Sequence, residues 1–324
     1  MLLINTTDSL PPLPIDVEAM RPLRIDNYRI LDRLGAGGMG EVYRARPIDA
    51  DDPHASDEVA IKIGRARPQT GPHNRSALER SAFEFDCLSR LNHPAIVKPI
   101  ANGISNSGLP YIVMERVEAI GQLNDPQFIN QPNDGWIHLF LELCDAVEHV
   151  HRRGLVHRDL TPANVLVTQQ PSRFSIKLID FGAAETTSEH DIAYDVRRSL
   201  LGTFHYMSPE QADLQSSRID NRSDIFSLGV VLFECLTLTT PLESALTRDT
   251  SRRECLDIVR NQKPMHPSTR RRSQSSLTHQ LPTNTLLDEV CYKAMARCPK
   301  DRYSSAAAFA AAIRSCFPRK ISYS

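Results

Sequence analysis

The sequence predicts an α+β fold of two unequal lobes, a small β-rich one carrying a single key helix and a larger, mainly helical one. Three observations carry that prediction. Between Tyr28 and about residue 119, short runs rich in β-forming residues (YRILDRLG, GEVYRARP, EVAIKIG, AIVKPIANG, LPYIVMERVE) alternate with glycine-rich or acidic turns. One stretch among them, NRSALERSAFEFDCLSRLN (74–92), instead places apolar residues at 83, 87, 88 and 91, which is helical spacing. Beyond residue 119 helical patterns dominate. GWIHLFLELCDAVEHVHRRG (135–154) repeats apolar residues at three- and four-residue steps and stops at a basic turn and Gly154, and further helices are expected near 223–238, 250–261, 284–297 and 303–317. A strand-rich first third before a helix-rich remainder implies a cleft where the lobes meet.

The connections follow from composition. Residues 1–27 carry four prolines and little periodicity and read as an extended leader. PIDADDPHASDE (47–58) is a polar, acidic hairpin connection, and QKPMHPSTRRRSQSSLTHQLPT (262–283) reads as a Ser-, Arg- and Pro-rich loop whose RRRSQS (270–275) is solvated. The chain of 324 residues is long enough for two cores, and 41% hydrophobic with 24% charged residues is an ordinary soluble composition. A net charge of -1 gives no global field toward nucleic acid or an anionic membrane. Seven cysteines without a C-x-x-C pair read as reduced thiols of a cytoplasmic protein, not a disulfide framework or zinc site. The N-terminus lacks the basic start and apolar core of a signal peptide. The most apolar run, IFSLGVVLFECLTL (225–238), is 14 residues long and contains Glu234, so it reads as a buried helix, not a membrane span.

Several short motifs carry chemistry. LGAGGMGEV holds Gly35, Gly37 and Gly40 in a G-x-G-x-x-G frame, where backbone N–H groups can approach phosphate oxygens without a Cβ in the way. Such spacing also marks dinucleotide folds and plain turns. Here GEVYRAR continues as a strand and not a helix, which favours a hairpin lid over a nucleotide. VAIK places Lys62 in an otherwise apolar strand; it is either an outward-facing surface lysine or a phosphate ligand that needs a carboxylate partner. Glu84 supplies that partner, with Glu79 nearer the helix start and Asp86 on another side of the helix as competitors. LVHRDLTPANVLV offers Asp159 to orient or deprotonate an acceptor hydroxyl and Asn164 to bind a metal ion, and LIDFG adds Asp180 as a second metal ligand. Each match alone could be a turn or cap residue; the five in this order are hard to reach by coincidence.

With these motifs the chain resembles a eukaryotic-type (Hanks-type) serine/threonine protein kinase over about residues 28–317, and is most similar to the bacterial branch. GTFHYMSPEQ (202–211), NRSDIFSLGVVLFECLT (221–237) and CPKDRYSSAAAFAAAI (298–313) extend the resemblance past the catalytic motifs. It implies a β-rich lobe over 28–114, a hinge over 115–119, a helical lobe over 120–317 and a short tail, 318–324. It implies ATP as cofactor with Mg2+, or Mn2+ in its place. The nucleotide would be held by Leu34, Gly35, Ala36, Gly37, Gly38, Met39 and Gly40, and by Lys62. Val42 and Ala60 would cover the adenine and Leu166 lie beneath it. Met114 would guard the back, and the backbone of Glu115 and Val117 would meet the adenine edge. Catalysis would fall to Asp159, Lys62, Glu84, Asn164 and Asp180. Glu210 would pair with Arg302, Asp224 would tie the catalytic loop to a buried helix, and His157 would be structural.

Thr203 matches the threonine with which serine/threonine kinases shape the acceptor site, so the expected partner is a protein Ser or Thr hydroxyl, autophosphorylation included. Ser199, after Arg197 and Arg198, is the first choice for a regulatory phosphate in the loop Ala183–Met207, which also holds Thr186, Thr187 and Ser188. No nucleic-acid partner and no membrane span are expected, and a dimer stays open. The departure from the family is Thr161, where most serine/threonine kinases carry a lysine; tyrosine kinases use an arginine there or at the position of Ala163. The alternative to an active enzyme is therefore a weakly active or inactive nucleotide-binding scaffold.

Overall fold

A computed structural model describes residues 24–37, 40–48, 58–64, 77–129, 135–171, 173–186, 204–213, 219–247, 249–273 and 284–317. The expectations for Gly38, Met39, Thr187, Ser188, Ser199, Thr203, the tail and most of the leader lie outside these residues. The chain forms two compact units. Among the described residues, the first takes in those up to residue 64, Ala77 to Ala82 and Ile100–Arg116, and the second takes in Phe83–Pro99 and everything from Val117.

The first unit is built on a six-stranded sheet in the order β1-β2-β3-β4-β6-β5, from β1 (Arg24–Ile25), β2 (Tyr28–Gly37), β3 (Gly40–Pro47), β4 (Val59–Gly64), β5 (Pro99–Ile104) and β6 (Pro110–Glu115). β1 begins inside the stretch read as leader: Arg24 and Ile25 pair with Arg29 and Tyr28, and Ile25 is buried. Alternation decides the two faces. Ile30, Tyr43, Ala45, Val59, Ile61, Ile63 and Val113 pack together on one face as the core of this unit. The intervening residues Val42, Ala60, Lys62 and Met114 fall on the other face, with Val42 opposite Lys62 and Ala60 opposite Met114. The opposed runs of branched and aromatic residues thus fix the register, because a slip by one would expose the whole apolar set.

Helix α1 (Ala77–Ser89) buries Glu84, Cys87 and Leu88. In the second unit, α2 (Pro126–Ile129) and α3 (Trp136–Arg152) follow β7 (Ala119–Gln122). α3 ends where Arg153 N–H donates to Val150 O and Gly154 N–H to His151 O; Gly154 then takes φ +70, a left-handed turn that glycine adopts without penalty. Strands β8 (Leu155–Val156), β9 (Val165–Gln169), β10 (Phe174–Leu178) and β11 (Glu185–Thr186) form two small sheets, β10-β9-β7 and β11-β8. Next come α4 (Pro209–Ala212), α5 (Asn221–Thr237), α6 (Arg252–Asn261), α7 (Pro267–Ser273), α8 (Thr285–Ala294) and α9 (Ala306–Ser315). Asp220 caps α5, accepting from Arg222 N–H at 2.8 Å, while Ser208 and Ser251 open α4 and α6 with reciprocal capping boxes. α5 is buried nearly all round, as an apolar helix without a polar face must be. No helix among the described residues is long and apolar enough to cross a membrane.

Two further features depart from the sequence reading or from backbone preference. Residues 262–283 were expected as a loop with solvated arginines, but Pro267–Ser273 is helical. Pro267 stands at the first position, where a missing N–H costs nothing. Arg271 is 9% exposed, paired with the buried Asp288 and directed at Leu236 O, while Arg270 donates to Thr239 Oγ1 at 2.9 Å. A guanidinium can be buried here because an acid and a carbonyl await it; three adjacent arginines in a sequence do not reveal those distant partners. Leu238 closes α5 at φ 59 with 40% of its surface exposed. A Cβ in that region is disfavoured by about 1–2 kcal/mol, part of which glycine returns through its freer unfolded chain. Leu238→Gly is therefore expected to stabilise the protein by about 0.5–1 kcal/mol, read as a higher urea midpoint at unchanged slope.

Candidate active site

The second unit gathers the polar loop residues around one buried carboxylate. Asp224, fully buried in the first turn of α5, accepts from the backbone N–H of His157 and of Arg158, each at 2.8 Å, and sits 2.7 Å from His151 Nε2. Burial alone would raise its pKa; the hydrogen bond and charge of His151 with the backbone donors outweigh burial and hold the carboxyl below its usual range. Gln211 adds a tie from α4, its Nε2 donating to Arg158 O at 2.8 Å. Arg158 itself is forced to φ 66, a conformation a branched or long side chain adopts only when its surroundings impose it.

Anchored in this way, the loop turns Asp159 and Asn164 toward each other. Asp159 N–H donates to His157 Nδ1 at 3.3 Å, and Asn164 Nδ2 donates to Asp159 O at 2.8 Å. Asn164 O accepts from Ile179 N–H at 2.9 Å, which brings the segment bearing Asp180 beside the loop. Asp180 takes φ 64, and its Oδ1 accepts from Gly182 N–H at 3.2 Å. Phe181 is fully buried with its ring centre 4.7 Å from that of His157, and burial pushes the imidazole of His157 down, so it is neutral and structural. Among the described residues at positive φ that are not glycine, one thus precedes Asp159 and another is Asp180 itself, a pattern associated with functional sites. Leu166 lies in β9 opposite Gln122 and Lys177, half-buried. Val117 is half-buried, and its carbonyl accepts from Ala119 N–H.

Thr161 caps the 3-10 turn Pro162–Asn164 in extended conformation without a side-chain cap hydrogen bond. The donor set of an Asn amide and an Asp carboxylate is all oxygen, which suits a magnesium-type cation that keeps waters and borrows phosphate oxygens. With its nitrogen committed to Asp159 O, Asn164 has its amide oxygen left to meet such an ion. Among the described residues, no group of three or more His, Cys, Asp or Glu side chains is placed to hold a metal ion.

In the first unit, Lys62 is 8% exposed on the sheet face it shares with Val42, Ala60 and Met114. Gly40 cannot carry a side chain: a Cβ there would lie 2.1 Å from Ile63 O. Among the described residues, a Cβ at Gly35 or Gly37 would meet nothing within 4 Å, and Leu34 is 49% exposed. Ala36 is likewise exposed on β2, and Glu115 ends β6 half-buried. Glu84 is 6% exposed, whereas Asp86 faces solvent beside Arg90.

The larger brace is also in place. Glu210 receives Arg302 through two hydrogen bonds of 2.6 and 2.7 Å and Ser223 Oγ at 2.7 Å. Sequence reasoning missed Gln211 and His151, both of which position the loop by contacts 53 and 73 residues away in sequence. It also missed Tyr206 and Asn124, which donate to Glu234 at 2.6 and 3.0 Å. Nothing local marks these residues, since each finds its partner only in the folded chain.

The family described as protein kinase domain matches residues 28–312. The serine/threonine-protein kinase PknB of Mycobacterium tuberculosis is 33% identical over 287 residues, covering 87% of this chain and 41% of its own. The probable serine/threonine-protein kinase PknB of Lactococcus lactis is 36% identical over 227 residues, covering 67% and 32%. A probable serine/threonine-protein kinase of Streptomyces coelicolor is 32% identical over 294 residues, covering 89% and 40%. The chain thus spans about two-fifths or less of the length of these relatives.

Proposed function

The chain belongs to the protein kinase domain family, and we propose that it transfers the γ-phosphate of ATP to Ser and Thr hydroxyls of protein substrates, itself included. The carrying observation is the loop pinned by Asp224, in which Asp159, Asn164 and the segment of Asp180 are joined by consecutive hydrogen bonds. In this reading the Asp159 carboxylate orients the acceptor hydroxyl and takes its proton. Lys62, partnered by Glu84, grips the α- and β-phosphates. The glycine hairpin covers the phosphates, and the backbone of Glu115 and Val117 receives the adenine edge. Asn164 and Asp180 would hold Mg2+, or Mn2+, which when bound neutralises developing phosphoryl charge. Seven free thiols fit a reducing, cytoplasmic setting.

The test is incubation with γ-labelled ATP, Mg2+ and a mixed protein acceptor, followed by phosphoamino-acid analysis. Label on phosphoserine and phosphothreonine, lost with chelator, is expected. Absence of labelled protein while the chain still binds ATP would favour the scaffold; label on a small hydroxyl compound alone would overturn the protein acceptor.

Thr161 makes a second measurement informative. A cation at this position would sit against the transferring phosphoryl group, and losing one such group commonly costs two to three orders of magnitude. Because Thr161 gives the loop no side-chain cap bond, replacing it removes no cap hydrogen bond from the turn. Thr161→Lys is expected to raise kcat about tenfold to a hundredfold at saturating ATP. An unchanged kcat would mean that another group already supplies the charge.

A further inference from the structure

Arg116 is the last residue of the first unit, one position beyond β6, whose end is fixed by the pairing of Glu115 with Val59. Its Nη1 lies 3.0 Å from Glu58 Oε2. The same carboxylate meets Arg44 Nη1 at 3.2 Å and Arg46 Nη2 at 3.2 Å, and Arg44 in turn holds Asp32 with its Nε at 2.5 Å. Glu58 is the best sheltered member, with 19% of its side chain exposed, against 29% for Arg116 and 34% for Arg44. Isolated surface pairs contribute little. Here one carboxylate gathers three guanidiniums, two from β3 and one from the point where the chain leaves β6, so its loss would leave three like charges converging on the same spot.

We infer that Glu58 and Arg116 are positioning residues for the nucleotide. By holding the Arg116 side chain, Glu58 fixes the backbone direction from Glu115 to Val117, the segment assigned above to the adenine edge. This rests on the kinase reading. The tie touches no phosphate and no reacting atom; it keeps a binding segment in its competent conformation. If release of the tie leaves that conformation populated about one-tenth of the time, the apparent Kd rises about tenfold. The effect belongs to the base, so adenosine and ATP should weaken by the same factor, and KM for ATP should rise while kcat at saturation stays level.

The experiment compares the full chain with Glu58→Gln, Arg116→Gln and the double variant, measuring Kd for adenosine and for MgATP by calorimetry, with KM and kcat alongside. Each single variant is expected to weaken both ligands about tenfold, and the double variant no further, since the two residues act through one contact. Arg116→Lys, which keeps a charge in reach of Glu58, should recover part of the loss and serves if Glu58→Gln does not fold. Affinities within about twofold of the parent, additive losses in the double variant, or weakening of ATP alone would each overturn the tie as a positioning device. A parent chain that binds neither adenosine nor ATP would overturn the kinase reading itself, a result distinct from variants that match a binding parent.

Discussion

Asp159→Asn is expected to lower turnover by about a thousandfold, within the range that a positioned acid or base contributes, while leaving the fold intact. Two of the loop's hydrogen bonds at this residue do not depend on the charge. Asp159 N–H still donates to His157 Nδ1, and Asp159 O still accepts from Asn164 Nδ2, both through the backbone of residue 159. What changes is the side chain's ability to accept a proton from an acceptor hydroxyl. The measurements are kcat, KM for ATP and the thermal midpoint of the same preparation. Loss of kcat with KM and midpoint unchanged assigns the carboxylate to the transition state. A variant retaining a tenth or more of the parent rate would remove Asp159 from the chemistry.

Asp224→Ala is expected to have the largest effect on stability, about 3–5 kcal/mol, and to abolish activity with it. The substitution strands two backbone N–H groups, the buried one of His157 and the partly buried one of Arg158, and takes the partner from His151. Arg158 would then have no reason to stay at φ 66. Asp224→Asn keeps one acceptor oxygen and should recover part of the loss, which urea unfolding would read directly. The sign with pH follows from the depressed carboxyl: its contribution is complete above the unfolded carboxylate range and fades as pH falls through the lower folded value. Acid should therefore narrow the gap between parent and Asp224→Ala. A gap that widens in acid would mean the carboxylate is not held by these donors.

Much of this was legible in the sequence because its information is local. Alternating apolar residues in GEVYRARP and EVAIKIG marked both segments as strands; the roles of Val42 and Ala60 came from the resemblance, and the strand register puts them on the face of Lys62. The long apolar run of 225–238 was correctly read as a buried helix because no polar face interrupts it. The pairing of Glu210 with Arg302 and the anchoring by Asp224 came from resemblance, and the hydrogen bonds are present. What escaped is what depends on distant partners. Arg271 looks like a surface arginine until Asp288 and Leu236 O are in view. The cluster around Glu58 looks like a solvated acidic turn until Arg44, Arg46 and Arg116 converge on it. Charge in a sequence has no direction; folding supplies it.

The cysteines carry a practical consequence. Six of the seven are buried, and Cys298 alone is exposed, four positions before the arginine that braces Glu210. A thiol-reactive dye should therefore attach at one place without mutagenesis, beside a contact whose integrity matters. The remaining six form a set of silent clocks: the rate at which each becomes alkylated reports how often its own neighbourhood opens, so one mass-spectrometric time course would chart breathing across the molecule.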